Sequence, residues 1–278
     1  MQDKEALSRF LECCEQFERI INDSGFITLT CLTGDEITGT ESSAGIIKKY
    51  FSLSQEDTTC LQDITLGAGE MRIGDNHLCL HTLSDPEDLT TSVATDSRYG
   101  RLSTDRSDCC LSFAAPIGVL LTSDHIVNQY LFIDDSAEML RKFEQTARNM
   151  HSLSRYSRSN QINREWIEEY MNEAHSQRLT AIRAHCKVFA WSDDREKLKR
   201  VKNDVGSQFA LMEAKPRHNT VDIPTLFWAA ILGNAGDFPA EESFYTFIEQ
   251  ALCLFIEETT GQDSPSPFGM RALKKGSI

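Results

Sequence analysis

The chain predicts an α+β fold, with a strand-rich first half, a helix-rich second half and a strand–helix unit near residues 184–212. Three observations point there. The composition is 40% hydrophobic and 25% charged over 278 residues, which suits a soluble globular protein with its own core and no need of disulfide or metal staples. Short apolar runs alternate with turn formers from residue 58 to 134. Beyond residue 140, apolar side chains recur mostly at three- and four-residue steps. Strands first and helices later favour α+β over a regularly alternating α/β fold. Length alone suggests roughly two domains at ~150 residues each. The patterns divide the chain into a helical and strand segment at 1–57, an α+β domain at 58–260 and a Pro-, Ser- and Gly-rich tail at 261–278.

Taken in order, Leu7, Phe10, Cys14, Phe17 and Ile21 share one face of a helix, which Gly25 ends. Phe26–Leu32 reads as a strand. Ile46, Ile47, Tyr50 and Phe51 mark a short helix. Candidate strands follow at Leu61–Leu66, His77–Leu83, Cys110–Ala114, Ile117–Leu121 and Gln129–Ile133, with a long surface loop over Asp85–Asp108. Leu140, Phe143, Ala147 and Met150 define one helix; Trp166, Ile167, Tyr170, Met171 and Ala174 define the next. Ala184–Trp191 alternates as a strand. Asp193 with Glu196 resembles a capping box opening a helix through Leu198, Val201, Val205 and Phe209. Phe244, Phe247, Ile248, Ala251, Leu252 and Phe255 have the spacing of a last helix.

The net charge is −14 and the pI about 4.9. A chain that grips phosphates needs a basic face, so whole-chain nucleic-acid binding and bulk attraction to anionic membrane are disfavoured. No apolar run reaches the ~18–20 residues of a membrane span, and the acidic start lacks signal-peptide features. Nine cysteines, an odd number without a C-x-x-C, point to free and mostly buried thiols in a reducing cytoplasm.

Chemistry-bearing patterns are sparse. Gly69–Gly74 has the glycine spacing of a phosphate loop, but Asp75 and Asn76 replace the Lys and Ser/Thr that neutralise phosphate and hold metal, so it reads as a hairpin turn. His77, Cys79 and His81 share one strand face. Neighbours there are ~7 Å apart at the ~3.3 Å rise of a strand, too far for easy ligation of one zinc. An ordinary strand with Leu78 and Leu80 facing the core is preferred to a metal site. Glu165, Glu168, Glu169 and Glu173 read as a solvated helix face opposite Trp166 and Tyr170 rather than as paired catalytic carboxylates. No nucleophile elbow occurs. One stretch is basic: Arg141, Lys142, Arg148, Arg155, Arg158 and Arg164, with Tyr156 among them and Glu144 opposing. Arg148, Arg155, Tyr156 and Arg158 are the candidate contacts. A solvated connector is the plainest reading, followed by docking to an acidic partner and then single-stranded DNA.

Long runs nevertheless carry a resemblance. MRIGDNHLCLHTLSD at 71–85, LSTDRSD at 102–108, LSFAAPIGVLL at 111–121, NQYLFIDD at 128–135 and ARNMHSLSRYS at 147–157 resemble stretches of the TraG-family conjugation ATPases. So do KNDVGS at 202–207, PRHNTV at 216–221 and FPAEESFYTF at 238–247. The likeness extends to SPFG at 266–269. It implies the N-terminal region of a type IV secretion motor, with the nucleotide-binding motifs lying beyond residue 278. The ending at 270–278 departs from the family's entry into the motor, which suggests a fragment. The resemblance implies no cofactor and no catalysis by this piece. Its implied role is docking, with inner-membrane channel components, the protein's own motor domain and copies of itself as partners. The implied location is cytoplasmic, held at the inner membrane through those partners. Single-stranded DNA contact is the second expectation, and an enzyme with an unrecognised Cys/His site the third.

Overall fold

The helical spacing of the first residues produces α1 (Lys4–Ser24), closed by Gly25 at φ +70° with its N–H on the Asn22 carbonyl. The computed structural model describes residues 4–25, 29–54, 56, 61–67, 70–90, 93, 97–98, 100, 103–108, 110–118, 120–153 and 158–254. Two units emerge, Met1–Leu61 and Gln62–Ile278.

In the first unit the Asn22 side chain bonds both backbone groups of Leu29, accepting from its N–H at 2.6 Å and donating to its carbonyl at 3.2 Å. This local pairing replaces a sheet. Residues 29–32 are not a strand, contrary to the expectation for 26–32, whose first three residues lie outside the described ones. Next, α2 (Gly34–Thr38) starts on a capping box between Thr33 and Glu36, and α3 (Ile46–Ser52) follows. Between them Gly39 and Gly45 pass so closely that a Cβ on either would fall on the other's backbone. This is the close approach for which glycine is needed.

The second unit is an antiparallel sheet with helices on both faces. Its first strands are β1 (Ile64–Gly67), β2 (Glu70–Ile73) and β3 (Asn76–Leu83). A tight turn with Gly74 at φ +57° joins β2 to β3. A separate small ladder pairs β4 (Ser97–Arg98) with β5 (Cys110–Leu111). The chain then forms β6 (His125–Phe132), the helices α4 (Ser136–Leu153) and α5 (Arg158–Gln177), and the long strand β7 (Ala181–Ser192). It ends with α6 (Arg195–Leu211), β8 (Arg217–Asn219), α7 (Ile223–Ala229), β9 (Phe244–Phe247) and α8 (Ile248–Ala251).

The sheet order is β1-β2-β3-β7-β6, with β8 added to β3 and β9 to β7. β7 is central, so its alternate side chains face two cores. Ile182, Ala184, Cys186, Val188 and Ala190 meet Leu198, Val205 and Phe209 of α6. On the other face Ala181 and Phe247 pack under Tyr170 of α5, and Phe189 meets Phe227 of α7.

The α+β class is as expected, and several elements differ from the sequence reading. Residues 244–247 form a strand, not the start of a helix, because Phe244 and Thr246 pair with Ala184 and Ile182 of β7. Of Cys110–Ala114 only Cys110–Leu111 is extended. Residues 112–118 fold into successive turns that bury Ala114, Ala115 and Ile117, so these apolar residues are core without being strand. The cap of α6 is Asp194, one residue later than expected, accepting from Glu196 N–H at 2.8 Å. Cys13, Cys14, Cys31 and Cys110 are exposed, contrary to mostly buried thiols, while Cys79 and Cys186 are core. Phe255 and the tail lie outside the described residues. Among those described, no helix is long and apolar enough to cross a membrane.

Candidate functional site

The central strand carries a lysine into the interior. The register sets Lys187 of β7 directly between Thr82 of β3 and Asn128 of β6, with the pair Tyr130 and His185 next along the same face. Lys187 is fully buried. Its Nζ donates to the Leu226 carbonyl at 2.5 Å. That carbonyl is free to accept because the Ala230 N–H bonds Phe227 instead of closing the last α-turn of α7. Nζ also lies 4.7 Å from the Tyr130 ring centroid, 5.3 Å from that of Phe189 and 5.8 Å from that of Phe238, a cation–π cage.

Burial drives the amine's pKa from 10.5 down to about 7, with Glu242 pulling weakly the other way. Burial also lowers the His185 pKa to about 3, helped by the Lys187 charge, and raises the Tyr130 hydroxyl to about 12. The His185 Nδ1 contacts the Glu242 carbonyl at 2.7 Å. A carbonyl only accepts, so Nδ1 holds the proton and Nε2 is a bare acceptor. Thr82 Oγ1, Asn128 Oδ1, Tyr130 OH and His185 Nε2 are all buried without a hydrogen-bond partner among the described residues. Perturbed groups clustered in this way mark a candidate site. A near-neutral amine suits base or Schiff-base chemistry. Here it is sealed beneath α7 and Phe238, so in this conformation it anchors the cover of the sheet.

A second feature is open. A cleft of about 540 Å³ lies where β9, α5 and the 83–93 segment converge, walled by Trp166, Tyr170, Phe113 and Phe244 and carrying Glu169, Glu173 and Glu249. Trp166 stacks on Tyr170 at 5.7 Å, and Tyr170 on Phe247 at 4.5 Å. The Tyr170 hydroxyl donates to the Thr246 carbonyl at 2.9 Å and locks the column. Glu169 and Glu173 are therefore beside the aromatic residues, not opposite them.

The sequence-singled residues scatter. Arg148 is exposed and paired with Glu144 at 2.5 Å. Arg158 opens α5 and is exposed. Arg155 and Tyr156 lie outside the described residues. Glu144 is not the sole opposing charge, since Lys142 pairs with Glu138 and Arg164 with Glu168. His77 contacts Glu70 at 2.7 Å, Cys79 is core, and His81 is buried against His218. Both faces of β3 are thus covered, not only the Leu78 and Leu80 side. Among the described residues no His/Cys/Asp/Glu group could hold a metal. The hairpin turn expected over Gly69–Gly74 is displaced: Glu70–Ile73 is a strand and the turn falls on Gly74 and Asp75, with Gly69 outside the described residues. Lys187 was not singled out; its one signal was a lysine inside the apolar run Ala184–Trp191.

No family model matches the chain, and no curated protein matches it.

Proposed function

We propose that this chain is the N-terminal docking region of a TraG-family conjugation ATPase, tethering the motor to inner-membrane components of a type IV secretion channel. On this reading it turns over no nucleotide itself and is cytoplasmic, held at the membrane through its partners. The sequence runs support the family, and those at 71–85, 128–135, 216–221 and 238–247 supply β2, β3, β6, β8 and β9.

The observation that carries docking is α1. It has a strongly amphipathic sequence, yet none of its described side chains is buried within its own unit, where Phe10 and Phe17 stay 63% and 61% exposed. A soluble helix normally covers such a stripe. The test is capture of the folded chain by the channel's inner-membrane proteins. Wild type is retained, and Phe10→Asp with Phe17→Asp lowers retention by about tenfold or more. Both side chains are exposed, so the fold survives the change. Failure of the wild type to bind any channel protein overturns the reading, as does ATP turnover by this chain alone. Salt-sensitive retention of a labelled single-stranded oligonucleotide would instead favour the contact through Arg155, Tyr156 and Arg158.

A further inference from the structure

We propose that the cleft between α5 and β9 binds a partner segment that presents an arginine or lysine flanked by apolar side chains. This surface is separate from α1 and does not depend on the conjugation reading. Its size, about 540 Å³, falls in the ~300–1,000 Å³ range of ligand sites. A pocket of that bulk takes several side chains, not a single ion.

The chemistry of the lining selects the occupant. Leu83, Leu89, Phe113 and Leu254 offer apolar walls, and Trp166 presents a partly exposed indole. Glu169, Glu173 and Glu249 add three carboxylates, while no Arg, Lys or His lines the cleft among the described residues. Glu173 accepts one hydrogen bond from Gln250, and Glu249 one from the Thr180 N–H at 3.4 Å. Neither bond neutralises charge. An aromatic face beside uncompensated carboxylates attracts a cation twice, through the ring quadrupole and through Coulomb attraction. An anionic segment is repelled by the same groups. The apolar walls reward flanking aliphatic or aromatic residues, so a bare ammonium ion leaves most of the cleft unfilled.

The test uses the full chain and two blocked hexapeptides, one alternating leucine with arginine and the other leucine with glutamate. Tryptophan emission is the readout, and Trp166→Phe identifies the part that comes from the cleft. The basic peptide should saturate the Trp166 signal at least about tenfold more tightly than the acidic one. Glu169→Gln with Glu173→Gln should weaken it about tenfold, whereas Glu12→Gln with Glu15→Gln on α1 should leave it unchanged. Circular dichroism confirms that each variant is folded. Equal affinity for both peptides overturns the proposal. So does equal loss in the two double variants, which would mean attraction to the acidic chain as a whole. Full competition by tetramethylammonium alone overturns the requirement for a chain segment.

Discussion

Lys187 is fully buried, with one carbonyl accepting its hydrogen bond and three rings within reach of its charge. These contacts only partly replace hydration, and the pKa falls from 10.5 to about 7. The unfolded chain keeps this proton up to about pH 10.5, whereas the folded chain releases it near 7. Folding is therefore penalised fully below pH 7, and the penalty is relieved as pH rises from 7 towards 10.5. Stability should rise by roughly 2 kcal/mol between pH 7 and 9. Cys79 and Cys186, raised by burial from 9.0 to about 11 and about 12, pull in the opposite direction as pH approaches and passes 9, so they subtract at the upper end of this window. Urea melts across that window measure the slope, and Lys187→Met should flatten it while keeping the fold. An unchanged slope in the variant would mean that the amine is solvated. His185 acts on the acid side. Its folded pKa of about 3 lies below the ordinary 6.5, so its contribution is complete above 6.5 and is lost as pH falls towards 3. The ring-proton NMR shift of His185 should stay constant from pH 8 down to about 4.

At the scale of elements, the cap of α6 separates two adjacent aspartates. Asp194 accepts the Glu196 N–H at 2.8 Å, whereas Asp193 is exposed and makes a 3.9 Å ion pair with Lys197 and a long 3.5 Å bond from the Ser192 hydroxyl. Asp194→Ala should cost about 1 kcal/mol, and Asp193→Ala within about 0.5 kcal/mol of nothing; thermal melts distinguish them. The sequence alone reached α6 but placed its cap one residue early, because both positions carry an Asp near Glu196. The same boundary between local and long-range information runs through the whole fold. Helices α1, α3, α4 and α5 were legible because their apolar period is local. Strands β3, β6 and β7 were legible because apolar runs and β-branched residues are local too. β9 was not. Phe244, Phe247, Ile248 and Ala251 have true helical spacing, and only pairing with β7 overrides it. The cleft was illegible for the same reason. Glu169 and Glu173 look like any solvated helix face until β9 is brought against α5.

For the molecule as a whole, charge is the decisive quantity. Acidic residues number 42 against 28 basic ones. Several of the described cations are already committed to surface pairs along a helix, as in Arg9–Glu5, Lys142–Glu138, Arg148–Glu144 and Lys199–Glu196. Exposed pairs of this kind contribute only about 0–1 kcal/mol each and are themselves weakened by salt. The excess of negative charge is not local, and it opposes compaction throughout. Two salt effects therefore compete, loss of small pairwise attractions and relief of a general repulsion. With a net charge of −14 the second should win. Shortening the screening length from ~30 Å at low salt to a few ångströms removes most of the repulsion between separated carboxylates. Raising sodium chloride from about 10 mM to about 0.5 M should add roughly 1 kcal/mol and lift the melting temperature by about 2–4 °C. Chloride is preferred to sulfate for this measurement, because sulfate also strengthens apolar burial. A melting temperature that falls with added chloride would mean that the ion pairs outweigh the repulsion. Their cations would then be structural, leaving Arg148 in particular unavailable to a partner. A rise would mean that the acidic surface is held at a cost to folding, as expected of a chain whose binding partners are basic.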